Sequence, residues 1–298
     1  MSMAKIMVLG GTGMLGHKMF QVLRECFAAT FCTVRGDTHK PPFDRVKLLQ
    51  GDDVIRGVDV TAFPTLDAIL LAFRPEWVIN CVGVTKQRAE GASPIPSITI
   101  NSLLPHRLAK AAAHWSGRII HFSTDCVFSG KHGSYLERDP SDADDLYGKT
   151  KYLGEVATPN ALTLRTSIIG RELSEHRSLL DWFLAQNHRT VHGYRRVVYS
   201  GVTTNHLAEL VVSIIQKHPG LHGLYQVVSE PITKHDLLCL FRETYQMDVQ
   251  IVPDDLQVSD RSMKGDKLRE AIGYRCPSWS ILARQLAEDS SPYGKWVE

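Results

Sequence analysis

The sequence predicts an α/β fold, a parallel sheet with helices on both faces. Three observations predict it. First, strand-length apolar runs alternate with segments of helical periodicity through residues 1–170, the pattern of β-α-β units. Second, Lys5-Ile6-Met7-Val8-Leu9 is apolar at successive positions, as a strand buried on both faces must be. Third, that run enters Gly10-Gly11-Thr12-Gly13-Met14-Leu15-Gly16, after which apolar residues recur at helical spacing from Met14 to Cys26.

The elements follow in order. Strands are predicted at residues 5–9, 30–34, 54–58, 77–82, 118–122 and 162–166, each a short apolar or β-branched run. Helices are predicted at 14–26, 65–73, 98–113 and 147–156. Pro41-Pro42 and Ser93-Pro94-Ile95-Pro96 mark loops. Beyond residue 170 the alternation is less regular. Helices are expected at 207–216 and 234–245, a strand returning to the sheet at 223–228, and a short strand at 249–252.

Composition narrows the function classes. The chain has 298 residues, 43% of them hydrophobic, enough for a sizeable core. A formal net charge of +2 gives no reason to expect nucleic acid or a membrane as partner. No apolar run approaches the roughly 20 residues of a membrane span, and the N-terminal apolar stretch is too short for a signal peptide. The six cysteines are scattered, with no Cys-x-x-Cys and no zinc spacing, so reduced thiols, a cytoplasmic protein and no metal are expected.

The chemistry centres on Tyr147 and Lys151. Four positions apart on a helix, they share one face. A phenol, with a pKa of about 10, is a poor acid or base near neutrality; a neighbouring ammonium pulls that value down. Upstream, Ile119-Ile120-His121-Phe122-Ser123-Thr124-Asp125 is a strand ending in hydroxyls and a carboxylate. Ligands bind beyond such strand ends in open parallel sheets, so a hydroxyl there can bond a substrate carbonyl beside Tyr147. Cys126 follows and either lines the site or packs. Strand, glycine turn and helix at Gly10, Thr12, Gly13, Met14, Leu15 and Gly16 form a dinucleotide-binding fingerprint of the Rossmann-like, doubly wound kind, although its spacing is G-x-x-G-x-x-G. At the end of the second strand stands Arg35, where NAD sites often carry an acid. A guanidinium there suits a 2′-phosphate, which favours NADPH; Asp37 keeps NADH possible.

With these motifs in place, the chain resembles the extended short-chain dehydrogenase/reductases and is most similar to the dTDP-4-dehydrorhamnose reductase group. The matching stretches include Gly10 to Gly16, Val78-Ile79-Asn80, Ser123-Thr124-Asp125-Cys126-Val127-Phe128-Ser129-Gly130, Tyr147-Gly148-Lys149-Thr150-Lys151 and Leu164-Arg165-Thr166. They fall in the first 170 residues. The resemblance implies a nucleotide-binding unit at 1–170, with elements around 200–228, and a smaller, discontinuous C-terminal substrate lobe mainly within 171–298. It implies that Asp59 and Val60 meet the adenine, that Cys81, Val82, Gly83 and Thr85 run beside the cofactor, and that Lys151 bonds the nicotinamide ribose. Thr124 would orient the carbonyl and Tyr147 would donate the proton. Arg261 resembles an arginine that the group places near substrate, Asn101 a supporting residue, and His121 and Asp125 flank the site.

The implied activity is NAD(P)H-dependent reduction of the 4-keto group of a nucleoside-diphosphate 4-keto-6-deoxy sugar, by a possible homodimer. Departures from the group's pattern leave the sugar and the nucleotide open: Ile168 stands where an aromatic is usual, and Lys86, Gln87 and Arg88 replace a tyrosine-containing stretch. Lys86 would then contact substrate, or lie in an exposed loop. Two other readings compete: an NAD-retaining epimerase or dehydratase, against which the missing second acid after Asp125 argues, and a non-catalytic nucleotide-binding regulatory subunit.

Overall fold

Burial on both faces starts the sheet. The four side chains of Ile6–Leu9 (β1) are all buried, so this strand lies between two helical layers. The computed structural model describes residues 4–86, 89–174 and 176–293; Gln87 and Arg88, in the stretch that departs from the group's pattern, lie outside the described residues. After β1 come α1 (Met14–Cys26), β2 (Thr30–Thr33), β3 (Val54–Ile55), α2 (Phe63–Phe73), β4 (Trp77–Asn80), α3 (Pro94–Ser97), α4 (Leu104–Ala113), β5 (Arg118–Ser123), α5 (Leu146–Leu153) and β6 (Ala161–Arg165). Then follow β7 (Ile168–Ile169), α6 (Leu179–Leu184), β8 (Thr190–Tyr199), β9 (Val202–Thr203), α7 (Thr204–Lys217), β10 (Gly223–Gln226), β11 (Ile232–Thr233), α8 (Lys234–Thr244), β12 (Gln250–Asp260), α9 (Asp266–Ile272) and α10 (Trp279–Ala287).

A seven-stranded sheet has the order β10-β6-β5-β4-β1-β2-β3, and every pairing in it is parallel. From β1 the chain builds outward through β2 to β3; from β4 it builds the other way. The reversal leaves a crevice beyond the C-terminal ends of β1 and β4, where open parallel sheets bind ligands. One face is covered by α1 and α7 through Met19, Phe20, Leu207, Val211 and Ile214, the other by α2 and α4 through Leu66, Leu70, Leu104 and Leu108. A separate core joins α6, α8 and α10 through Phe183, Phe241 and Leu282. Beside it, β8 pairs in parallel with β12 and antiparallel with β11.

Two differences from the sequence-based expectation have physical causes. The single helix expected at 98–113 is interrupted: a π-helical turn, Ile98–Leu103, precedes α4. Pro105 has no N–H to give the carbonyl of Asn101, one turn earlier. The short strand expected at 249–252 runs on as Gln250–Asp260, and its partner Thr190–Tyr199 was not expected. Both carry exposed polar residues, and Leu256 is 87% exposed, so neither shows the clean alternation of a half-buried strand.

Candidate active site

The glycine turn places the N-terminus of α1 at the crevice. Gly10 has φ +86°, a conformation that favours glycine. A Cβ on Gly16 would lie 2.0 Å from Gly10 O, so helix and strand approach as closely as they do only without that atom. Gly13 differs. A Cβ there would meet nothing nearer than Gly10 O at 3.5 Å, so the protein's own packing does not require glycine. Gly13 caps α1 with no side-chain hydrogen bond, and the first turn carries no acidic residue. Unshielded N–H groups at a helix start are a ready anion site.

A cavity of about 410 Å³ lies over this turn. Its lining includes Gly13, Met14 and Leu15 from α1 and its cap, and Cys81, Val82, Gly83, Thr85 and Lys86 after β4. Thr124, Asp125, Cys126, Tyr147 and Lys151 line it from the far side. The expected catalytic residues therefore share one space with most of the expected cofactor residues. Gly10, Thr12 and Gly16 shape the turn without lining the cavity. Arg35 is exposed just past β2, near enough to Asp59 to help hold that carboxyl low, an effect led by the Thr61 backbone N–H. Val60 is buried, and neither Asp59 nor Val60 lines the cavity. Arg261 also lies outside the lining: its Nε donates to Phe128 O at 2.9 Å.

Asp145 starts α5 by accepting from the Gly148 N–H at 2.8 Å, which turns Tyr147 and Lys151 to the cavity. Lys86 pairs with Asp145 and sits 5.9 Å from the centre of the Tyr147 ring, so it is anchored at the rim. Thr124 Oγ1 accepts from the Cys126 N–H at 3.1 Å and donates to Asp125 at 3.1 Å. Burial raises the Tyr147 pKa, while a hydrogen bond with Thr124 acts the other way. The expected depression of that phenol by Lys151 is absent: Lys151 Nζ is turned to β5, donating to Phe122 O at 2.6 Å. Burial brings the Lys151 ammonium down to about 8, opposed by Glu155. Glu155 is itself held by Arg165 at 2.8 and 2.7 Å and by Ser123 at 2.6 Å, a buried ion pair behind the site. Burial, then Asp125, raises the Cys126 thiol to about 11, so it stays protonated. Asn101 gives the expected support through its side-chain amide, which bonds Val84 N and O and Thr150 Oγ1.

A family model described as the RmlD substrate binding domain matches residues 4–280. The chain belongs to this family. Among relatives of this RmlD-family chain, the dTDP-4-dehydrorhamnose reductase of Aggregatibacter actinomycetemcomitans is 26% identical over 239 residues, 77% of this chain and 74% of that protein. The rat methionine adenosyltransferase 2 subunit beta is 27% identical over 154 residues, 51% of this chain; the match spans only 42% of that relative's length. In structure, the dTDP-4-dehydrorhamnose reductase of Bacillus anthracis, solved with NADP, superposes with a TM-score of 0.77, covering 96% of this chain and 99% of that one at 18% identity. The fold is thus Rossmann-like. No helix among the described residues is long and apolar enough to cross a membrane, and no described cluster of His, Cys, Asp or Glu could hold a metal.

The RmlD-family cavity also contains residues that sequence reasoning passed over, notably Tyr199, Glu172 and Lys234. Lys234, the first residue of α8, lies 5.4 Å from the centre of the Tyr199 ring, and burial lowers its pKa. A cation at a helix start opposes the macrodipole, and that was its legible signal. Tyr199 gave none, because its strand was not recognised.

Proposed function

We propose that this protein reduces the 4-keto group of a nucleoside-diphosphate 4-keto-6-deoxy sugar with NADPH, NADH being possible. One observation carries the reading: Thr124, Tyr147 and Lys151 meet the α1 N-terminus in a single cavity at the strand-order reversal. The residues present fit a dinucleotide. The uncapped start of α1 and the open side of Gly13 suit a pyrophosphate, with Cys81, Val82, Gly83 and Thr85 alongside. When bound, the reduced nicotinamide supplies the hydride. Thr124 orients the keto oxygen, and Tyr147, which burial keeps protonated at neutral pH, gives its proton to the developing alkoxide. Lys151 holds the nicotinamide ribose and, while charged, favours the tyrosinate left behind. Lys86 and Lys234 supply cations for the substrate diphosphate, with Asp125 and Cys126 beside the sugar and Arg261 close behind.

The test is a panel of dTDP-, UDP- and GDP-linked 4-keto-6-deoxy sugars with NADPH or NADH, following loss of reduced nicotinamide. Oxidation with one of them names sugar and nucleotide together; none, despite NADPH binding, removes the reductase reading. The relative named as a subunit of another enzyme favours the regulatory alternative, and that outcome would support it. Lys234→Ala is expected to raise the KM for the nucleotide sugar about ten-fold or more with a smaller change in kcat, as loss of one charge-assisted contact does.

Arg35 supports the NADPH preference by its position beyond β2, beside β1. Arg35→Ala is expected to weaken NADPH binding about ten-fold and NADH binding little, measured by fluorescence titration. Equal losses would place the arginine away from the 2′-phosphate.

We also propose that the protein is cytoplasmic and forms a homodimer through an exposed apolar patch. Ile98 (47% exposed), Leu103 (45%), Tyr152 (40%) and Leu153 (60%) lie on the adjoining π-turn and α5. Leu153→Glu is expected to convert a dimer into a monomer in light scattering; a monomeric parent chain would end the proposal.

A further inference from the structure

Beneath Lys151 lies a buried polar chain that the mechanism above does not use. The Val82 N–H donates to Asn80 Oδ1 at 3.2 Å, which fixes which end of the Asn80 amide carries oxygen. Its Nδ2 therefore faces His121 Nδ1, at 3.1 Å. An amide nitrogen has only hydrogens to offer, so Nδ1 must accept. His121 is fully buried, and burial, followed by the Lys151 charge, holds its pKa well below the ordinary value; the ring is neutral. A neutral imidazole that accepts at Nδ1 carries its proton on Nε2. That Nε2 lies 3.5 Å from Lys151 Nζ, while Nζ also donates to Phe122 O. An ammonium has no lone pair for an N–H, whereas an uncharged amine has one.

We propose that His121 is a positioning residue whose Nε2–H, fixed in place by Val82 and Asn80, donates to the uncharged amine of Lys151. This deepens the reading of Lys151 as a working group of the site and rests on it. By favouring the uncharged amine, His121 brings the protonation change of Lys151 toward neutral pH. The other charged or titratable groups acting on this pair are Glu155 beyond α5, neutralised by Arg165, and His106 on α4. The same chain ties Lys151 to Val82, in the segment expected to run beside the cofactor.

The deciding measurement needs neither substrate nor turnover. Nitrogen-15 spectra of the full-length protein with labelled histidine, with the His121 signals identified by their loss in His121→Gln, are expected to show the neutral Nε2–H tautomer near neutral pH. The Nδ1–H tautomer overturns the proposal. Asn80→Asp keeps an acceptor for the Val82 N–H but puts a carboxylate oxygen against Nδ1, forcing the opposite tautomer. Its Lys151 titration midpoint, followed through a carbon-13 label at Cε, is expected to rise by about one pH unit or more. His121→Leu is expected to raise it likewise, and His121→Gln, whose amide N–H can replace Nε2–H, to restore it. An unchanged midpoint in a folded Asn80→Asp overturns the proposal. If that variant fails to fold, the wild-type tautomer still decides. Failure of the reductase assay leaves these readouts intact, so the two readings fail separately.

Discussion

Tyr147→Phe is expected to lower kcat by about two to four orders of magnitude while leaving NADPH affinity nearly unchanged. The hydroxyl is the one group removed, and the ring that packs in the cavity wall remains. In the cavity the phenol meets Thr124, and burial keeps it protonated. The loss should therefore appear in the chemical step, read in single turnovers with saturating cofactor and substrate, with a KM change of no more than a few-fold. A variant that turns over at the normal rate would refute the catalytic assignment. In the wild type, Lys151 adds a pH limb. Its charge is present below about 8 and lost above it, so kcat should fall as pH rises through that region. A flat profile there would show that the lysine charge has no part in the step.

Gly16→Ala and Gly13→Ala are expected to fail in different ways. At Gly16 the new Cβ would stand 2.0 Å from a backbone oxygen, Gly10 O, and no flexible side chain can relieve the contact. The glycine turn or α1 must move, at a cost of about 1–3 kcal/mol or more, seen as a lower Tm without any ligand. At Gly13, where φ is −76° and the nearest atom would be 3.5 Å away, the fold should lose no more than about 1 kcal/mol, a helix-cap effect. The new methyl instead enters the cavity, where the pyrophosphate is expected against the helix start. NADPH affinity should fall about ten-fold or more with Tm nearly intact. Unaltered affinity in Gly13→Ala would mean that no dinucleotide lies against this turn.

Much of this was legible in the chain because the information was local. The run into Gly10 and the spacing of Met19, Phe20 and Leu23 specify a buried strand and an amphipathic helix, and α1 falls at Met14–Cys26 as the periodicity predicts. Helical spacing likewise puts Tyr147 and Lys151 on one face, and the hydroxyls after β5 announce themselves by ending an apolar strand. What the sequence by itself determined was therefore the doubly wound sheet, the glycine turn and the identity of the residues brought to its edge. The tertiary structure alone decided where side chains point and which distant residues join them. It turned Lys151 toward Phe122 O and His121 rather than toward the phenol, because a buried amino group needs a hydrogen-bond partner and the Phe122 carbonyl lies within reach. It tied Lys86 to Asp145 across 59 positions of chain, and it brought Tyr199 to the cavity from a strand with no clean periodicity and Lys234 from the start of α8. Contacts of that kind depend on the packing of segments far apart in sequence, and no local pattern encodes them.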